Sequence, residues 1–261
     1  MSARKRARER KPARALLQEE EYAFPYHYLP HVDADGPAAA SNVRFLRWGL
    51  EYACYLQHIA GLVAELAPAS HLDVGCGDAR LFHVTPAAGV RRVGVDSSPR
   101  ALDYARAFNP DARFHTGLDS LAPDEGFDLV SAIEVLEHVA DGEIRAFVGA
   151  LRDRVRRGGH LLLSVPSAAQ PLHAKHYRHY TEALLVAQVR GACPDLVTVG
   201  VDHVYRGSRL VDAYTRCTLN RFLVLEVAPL RRAVWRYVWQ RLRRAAPGEG
   251  RHVVGLFQPS G

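Results

Sequence analysis

Two short segments of this chain combine an acidic residue with glycine and could bind a small molecule. Asp73-Val74-Gly75-Cys76-Gly77 ends one apolar run, and Asp96 ends another, 19 residues beyond Gly77. Glycine tolerates positive φ and leaves no side chain between backbone and ligand. The pattern predicts a strand, a tight loop and a helix whose first N–H groups face a ligand, and an acid at this spacing suits a ribose diol.

Asp73 further limits which kinds of ligand could bind. Its carboxylate would repel a pyrophosphate but would attract an ammonium group. A nucleoside that carries an amino acid satisfies both Asp73 and Asp96, so we expect this kind of ligand rather than a dinucleotide.

A second group of ionisable residues, Glu134-Val135-Leu136-Glu137-His138, directly follows a later apolar run. If this segment is helical, positions i, i+3 and i+4 share a face, and two carboxylates meet an imidazole there. His138 could then take a proton from an acceptor hydroxyl, because its pKa lies near neutrality. Alternatively, the three side chains could hold Mg²⁺ or Mn²⁺. A charged helix cap with a surface histidine is the non-functional interpretation.

A third group follows the next apolar run and contains His173, Lys175, His176, Arg178 and His179. Three histidines and an arginine just beyond a strand end are hard to explain by packing alone. They could complete a metal site, bind an acidic acceptor or supply the base.

The elements that would position these groups alternate along the chain. Apolar segments at 71–75, 92–96, 112–116, 127–132 and 159–165 predict strands, and those at 78–87, 99–108, 141–156 and 181–190 predict helices. This order is typical of an α/β fold with a Rossmann-like, doubly wound, mostly parallel sheet. Ligands of such sheets lie beyond the carboxyl ends of the strands, where all three groups fall.

The flanking segments complete the predicted organisation. We expect a disordered basic tail at 1–20, an N-terminal lid and helix at 21–68, a core at 69–204, and a helical insertion with the last strand at 205–261. The aromatic stretch from Tyr22 to His31 could cover the substrate or simply pack on the core. The arginine-rich amphipathic part of 205–246 could be a wall of the site, a membrane-surface helix, a homodimer contact or a solvated outer helix.

Composition limits the partners. The net charge of +6 equals the surplus of seven basic residues over one acid within the first 14 positions, so the rest of the chain is formally neutral. Such a tail could hold RNA or an acidic membrane, or it could have no specific partner. Hydrophobic residues make up 48%, but no apolar run approaches the length of a membrane span. Four scattered cysteines fit a reducing cytoplasm.

Asp73-Val74-Gly75-Cys76-Gly77-Asp78-Ala79, followed by Asp96, resembles the cofactor loop of class I S-adenosylmethionine-dependent methyltransferases. The resemblance extends from about Leu72 to about Leu184. It implies S-adenosyl-L-methionine as cofactor, with Asp73 near its amino-acid portion, Asp96 on its ribose, and Leu118 with Asp119 beside its adenine. The remaining residues that this resemblance places around the cofactor are Gly75, Cys76, Gly77, Ser97, Ile133 and Glu134.

Glu134-x-x-Glu137-His138 is similar to the metal-binding motif of ubiquinone-biosynthesis O-methyltransferases and of small-RNA ribose 2′-O-methyltransferases. In the latter a later histidine completes the metal site, and His176 or His179 would match it here. The resemblance thus implies catalytic roles for Glu134, Glu137, His138, His176 and His179, and a metal site of Glu134, Glu137, His138 and His176.

Three functions follow as hypotheses. The first is O-methylation of a small hydroxylated molecule such as a sugar, phenol or natural product, with or without a divalent metal. The second is ribose methylation of RNA, which the neutral body of the chain disfavours. The third is a methyltransferase-like subunit that binds the cofactor without catalysis.

Overall fold

The computed structural model describes residues 49–85, 88–220, 225 and 227–260. The predicted tail at 1–20, the aromatic stretch that follows it and the first part of the predicted N-terminal helix lie outside the described residues. Positions 221–224 and 226, within the predicted insertion, also lie outside them.

A seven-stranded sheet forms the centre of the described chain, with strand order β3-β2-β1-β4-β5-β7-β6. The strands β1 to β5 are parallel, and β7 runs antiparallel between β5 and β6. This mostly parallel sheet confirms the predicted α/β architecture. The strands are β1 (Ser70–Val74), β2 (Arg91–Val95), β3 (Arg113–His115), β4 (Phe127–Ile133), β5 (Val155–Pro166), β6 (Leu196–Arg206) and β7 (Gly250–Pro259).

Helices cover both faces of the sheet. They are α1 (Gly49–Leu66), α2 (Arg80–Val84), α3 (Pro99–Phe108), α4 (Ile144–Arg152), α5 (Glu182–Ala192), α6 (Arg209–Thr218) and α7 (Ala228–Tyr237), with a π-helical turn at Val238–Leu242. Successive strand residues point to opposite faces, so Leu161 joins the core under α4 and α5, and Leu162 joins the core under α1 and α7. Both sides of the central strands are therefore buried.

The site lies at one edge of this sheet, where β1, β2 and β4 end. Leu72 of β1 pairs with Val93 of β2 and Val130 of β4, so the three strands end nearly level. Their last residues, and the loops that follow, share one edge.

Several predicted boundaries were wrong near glycines and in the insertion. The helix predicted at 141–156 ends at Arg152, and β5 begins at Val155 instead of 159, because Gly158 and Gly159 lie inside the strand next to a bulge. A Cβ on Gly159 would lie 2.8 Å from the Asp128 carbonyl oxygen, so glycine permits this pairing. The glycine pair resembled a loop in the sequence.

The insertion predicted from 205 to 246 differs in two ways from a long helical segment. β6 continues to Arg206, beyond the predicted core boundary at 204, and α6 and α7 are separate helices. Trp235, Val238 and Leu242 are buried against α1, whereas Arg232 and Arg236 are exposed. Trp235 of α7 and the π-helical turn that follows it therefore pack on the protein's own core. Within the described ranges, no helix has both the length and the apolar character that crossing a bilayer requires.

Candidate functional site

The loop between β1 and α2 follows the predicted glycine pattern. Gly75 and Gly77 have φ of +73° and +55°, and a Cβ on Gly75 would lie 2.4 Å from Val135 Cγ2. Ala79 also adopts a left-handed φ of +55°, so α2 begins only at Arg80 and is shorter than the predicted helix 78–87. The loop thus needs glycine both for its turn and for its contact with the segment after β4.

The amides of this loop are bound within the protein rather than free, which differs from the expectation. The Gly75 and Cys76 amides donate to the Val95 carbonyl at 2.7 and 3.1 Å, and the Gly77 amide donates to Asp96 Oδ2 at 2.8 Å. The second Asp96 oxygen accepts from the Ser98 amide at 2.8 Å. Asp96 therefore ties the glycine loop to the end of β2. The Ser98 side chain caps the start of α3.

Asp73 is buried and belongs to a chain of hydrogen bonds between β1 and β4. The Ser131 hydroxyl donates to Asp73 Oδ1 at 2.6 Å, and His71 Nε2 lies 2.7 Å from the same hydroxyl. Burial raises the pKa of Asp73 to about 7, against the opposing effect of the Ser131 hydrogen bond. Burial also lowers the pKa of His71 to about 3, so this imidazole is neutral. Asp73 would gain from a positively charged ligand group.

A cavity of about 510 Å³ extends from this loop across the end of β4. The predicted site residues that line it are Asp73, Gly75, Cys76, Gly77, Ile133, Glu134, Glu137, His138, His176 and His179. Asp96, Ser97, Leu118 and Asp119 are not among the described residues that line it. Leu118 and Asp119 lie in a 3₁₀ turn after β3, where Asp119 is exposed and Leu118 contacts the core. The structure thus brings the glycine loop and the predicted acceptor cluster to one cavity, but it does not bring the predicted ribose and adenine residues there.

The segment from Glu134 to His138 does not meet the condition that it be helical, on which the shared face depended. Glu134 has a left-handed φ of +56°, and only Leu136–His138 forms a 3₁₀ turn. Glu134 therefore does not share a helical face with Glu137 and His138. Its Oε1 accepts from the Ser164 hydroxyl at 2.5 Å, on the side of β5.

Glu137 instead meets two histidines. Ligand atoms of Glu137, His138 and His176 all lie within 4.8 Å of one another. Glu137 is 1% exposed and its Oε2 has no hydrogen-bond partner among the described residues. Burial, and then the nearby charge of Glu134, raise the pKa of Glu137 well above its usual value. A positive charge at this point would stabilise the carboxylate form.

The loop that carries His176 is fastened to this turn. The Tyr177 amide donates to the Glu137 carbonyl at 2.8 Å, and the Arg178 guanidinium donates to the carbonyls of Leu136 and Val139 at 3.1 and 2.8 Å. His176 Nδ1 lies 2.8 Å from His179 Nε2. Burial, followed by the positive groups around it, lowers the pKa of His176 to about 3, so this ring is neutral.

Sequence reasoning missed a buried ion cluster on the opposite wall. His252 of β7 lies between Glu51 of α1, with 3.2 Å from Nε2 to Oε1, and Glu134, with 3.3 Å from Nδ1 to Oε1. Burial alone would lower the pKa of His252, but the two carboxylates outweigh it and raise the pKa to about 10. Arg251 also pairs with Glu51 at 2.5 Å, and the Tyr55 ring lies 4.2 Å from that of His252. No local spacing marks the contacts of Glu51 with Arg251 and His252, which lie 200 and 201 positions further along the chain.

Comparisons with known proteins agree with this geometry. A family model described as "Methyltransferase domain" matches residues 49–205. A ubiquinone biosynthesis O-methyltransferase of Cereibacter sphaeroides is 36% identical over 99 residues, which are 36% of this chain and 39% of that protein. One of Xanthomonas euvesicatoria is 34% identical over 143 residues, 51% of this chain and 54% of that protein. The chain thus spans about half or less of the length of these relatives.

The fold is also found in solved structures. The N-methyltransferase NodS from Bradyrhizobium japonicum, in complex with S-adenosyl-L-homocysteine, has a TM-score of 0.56 at 15% identity, covering 85% of this chain and 94% of NodS. The sheet and its flanking helices therefore match the class I methyltransferase fold, as predicted. Because the family model covers more than half of the sequence, the chain belongs to the methyltransferase domain family, and the resemblance to S-adenosylmethionine-dependent methyltransferases is confirmed at that level.

Proposed function

We propose that this chain transfers the methyl group of S-adenosylmethionine to an oxygen of a small hydroxylated molecule, with a divalent cation held beside the acceptor. One observation carries the proposal. The unpartnered, buried Oε2 of Glu137 belongs to a cluster with His138 and His176, and this cluster lines the same cavity as the glycine loop. The names of the matched O-methyltransferases support oxygen as the methylated atom.

At the cofactor end, three features would hold the sulfonium nucleoside. The Asp73 carboxylate would pair with its ammonium group, and the Asp96 carboxylate would accept hydrogen bonds from the ribose while keeping the Gly77 amide in place. The glycines would allow the cofactor to approach the backbone closely. Most of the rate would come from holding the methyl group in line with the acceptor oxygen.

At the acceptor end, Glu137, His138 and His176 fit a cation and Glu134 does not. Glu134 Oε1 is engaged by Ser164 and His252, and Glu134 lies outside the cluster of close ligand atoms, so the proposed ligand set differs from the expected one. When bound, a divalent cation lowers the pKa of an acceptor hydroxyl and fixes its position. A set with two imidazole nitrogens favours Mn²⁺ over Mg²⁺, which prefers oxygen ligands. Without a cation, His138, which lines the cavity, is the candidate base.

The experiment combines cofactor binding with product formation. Calorimetry with S-adenosylhomocysteine should show saturable binding to the full chain. Incubation with methyl-labelled S-adenosylmethionine and a panel of phenols, catechols and sugars should then label at least one acceptor. A short RNA with a free 3′ ribose serves as the other arm, and its exclusive labelling would replace the small-molecule acceptor by RNA. Binding without any labelled product would support a non-catalytic subunit.

Chelation tests the cation separately. EDTA should abolish labelling, and Mn²⁺ should restore it more fully than Mg²⁺. Full activity in EDTA would remove the cation from the mechanism and leave proton transfer to a base such as His138.

A further inference from the structure

Two histidines at the acceptor end, His176 and His179, are joined by one hydrogen bond between their rings. His176 Nδ1 and His179 Nε2 are 2.8 Å apart, so one of them donates to the other. His179 Nδ1 lies 3.1 Å from the Gln170 carbonyl oxygen. A carbonyl has no proton to give, so His179 Nδ1 carries one. In a neutral His179, Nε2 is then the acceptor, and His176 donates from Nδ1.

This direction determines which nitrogen of His176 keeps its lone pair. With its proton on Nδ1, neutral His176 keeps a lone pair on Nε2. His138 is arranged in the same way, because its Nδ1 lies 3.3 Å from the Lys175 carbonyl oxygen. His138 Nε2 lies 3.8 Å from Glu137 Oε1, and ligand atoms of Glu137, His138 and His176 all lie within 4.8 Å of one another.

We propose that His179 is a positioning residue: it accepts a hydrogen bond from the Nδ1–H of His176 and so keeps the Nε2 of His176 unprotonated and able to bind a cation. His179 itself would not touch the cation. The sequence allowed either His176 or His179 as the later ligand, and this arrangement assigns the ligand role to His176. Histidine ligands in proteins are commonly oriented by such a partner on the other ring nitrogen. The inference deepens the proposed function and rests on its cation site.

The backbone carbonyl of Gln170, which accepts the hydrogen bond from His179, is itself held in place. The Gln170 amide donates to the Ser167 carbonyl at 3.0 Å, and the Gln170 side chain donates to the Arg251 carbonyl at 2.7 Å. The Gln170 carbonyl is therefore fixed from the end of β5 and from β7. Hydrogen bonds thus run from the Gln170 carbonyl through His179 to His176, so the sheet orients the His176 ring in the ligand-free protein.

Nuclear magnetic resonance of the metal-free full chain tests the inference without any catalysis. Long-range ¹H–¹⁵N spectra of histidine-labelled protein distinguish protonated from bare ring nitrogens. His176 should show a protonated Nδ1 and a bare Nε2. His179→Ala should leave His176 as a mixture of both tautomers, and His179→Gln should restore the single tautomer because its side-chain oxygen can accept the proton. A wild-type His176 with a protonated Nε2 would overturn the inference.

Mn²⁺ affinity, measured from the electron paramagnetic resonance of the free ion, provides the second readout. Loss of an orienting partner typically weakens metal binding about 10- to 100-fold, so we expect His179→Ala to do so and His179→Gln to recover most of the affinity. His173→Ala is the matched control, since this exposed ring lies 5.3 Å from that of His176 and should leave the tautomer unchanged. Equal Mn²⁺ affinity in wild type and His179→Ala would contradict the role. A wild-type protein with the expected tautomer but no Mn²⁺ binding would support the positioning by His179 and refute the proposed cation.

Discussion

The two ends of the cavity differ in the chemical groups that form them. The cofactor end uses backbone groups from short segments, with the amides of the glycine loop bound by the end of β2 and by Asp96. The acceptor end uses side chains from four distant segments, namely α1, the turn after β4, the loop after β5 and the start of β7. The first end has one deeply buried carboxylate, Asp73. The second contains a buried imidazolium between two carboxylates and a neutral histidine beside an unpartnered acid.

This difference suggests a division of roles. A single carboxylate beside a glycine loop that is held by internal backbone hydrogen bonds can bind a ligand without making the fold depend on an ion pair. Buried ion pairs are different, because removing one partner leaves the other charge uncompensated. We therefore expect substitutions at the cofactor end to change cofactor affinity, and those at the acceptor end to change the rate or the stability.

The strongest test of the division is Glu137→Gln. We expect kcat to fall about 10²- to 10⁴-fold, the usual range for loss of a group that assists proton removal, while S-adenosylhomocysteine affinity stays within about twofold. The raised pKa of Glu137 favours its neutral form, so the neutral, isosteric glutamine should preserve the fold. Glu143→Gln, an exposed residue just before α4, is the control and should match wild type. A parallel loss of cofactor affinity would show that the two ends are not separable.

The ion cluster predicts a large effect on stability. His252→Ala leaves Glu134 without its imidazolium and should reduce the free energy of unfolding by about 3–5 kcal/mol, as for other broken buried pairs. Urea unfolding with His173→Ala as an exposed control measures this. A loss below about 1 kcal/mol would mean that the cluster is solvated in solution and does not join α1 to β7.

The same cluster gives the wild-type protein a characteristic pH dependence. The pKa of His252 is raised from 6.5 to about 10, so between these values the folded state binds more protons than the unfolded state. The stabilisation is complete below about pH 6.5 and is lost as the pH rises through 10. In His252→Ala this decline should be absent, whereas an equal decline in both proteins would assign it to other groups.

The two ends also differ in how much the sequence could predict. Glycine spacing and the acid 19 residues later are local patterns, and they correctly located the loop and the end of β2. Glu51 and His252 meet only because α1 packs on the face of the sheet that includes β7. No spacing in the sequence predicts this contact. Glu134, with its left-handed φ, is likewise bonded to Ser164 of β5 through both its amide and its side chain, and this contact between distant segments could not be read from the sequence.

At the cofactor end, Asp96→Ala should weaken S-adenosylhomocysteine binding about 10- to 100-fold, since a hydrogen bond to a charged group contributes about 1.5–3 kcal/mol. The variant would lose both the proposed ribose contact and the hydrogen bond that restrains the Gly77 amide. Asp103→Ala removes an exposed carboxylate of α3 and should bind as wild type does. Calorimetry on both variants decides, and unchanged affinity in Asp96→Ala would remove this residue from the cofactor site.

The smallest expected effect concerns Ser131, which touches Asp73 from the neighbouring strand. Asp73 has to be ionised to attract an ammonium group, and its pKa of about 7 predicts that wild-type cofactor affinity falls as the pH drops below 7. Ser131→Ala removes the hydrogen bond that favours the carboxylate, so the pKa of Asp73 should rise further. Affinity at pH 7 should then fall several-fold, up to about tenfold, and recover by about pH 9.

The exposed Ser120→Ala serves as the control for this shift. Calorimetric titrations across pH 6–9 separate two outcomes. A displaced pH profile with the same affinity at high pH means that Ser131 acts through the charge of Asp73. A uniform loss at every pH would mean that Ser131 supports the shape of the site instead, and the cofactor end would then depend on buried side chains as the acceptor end does.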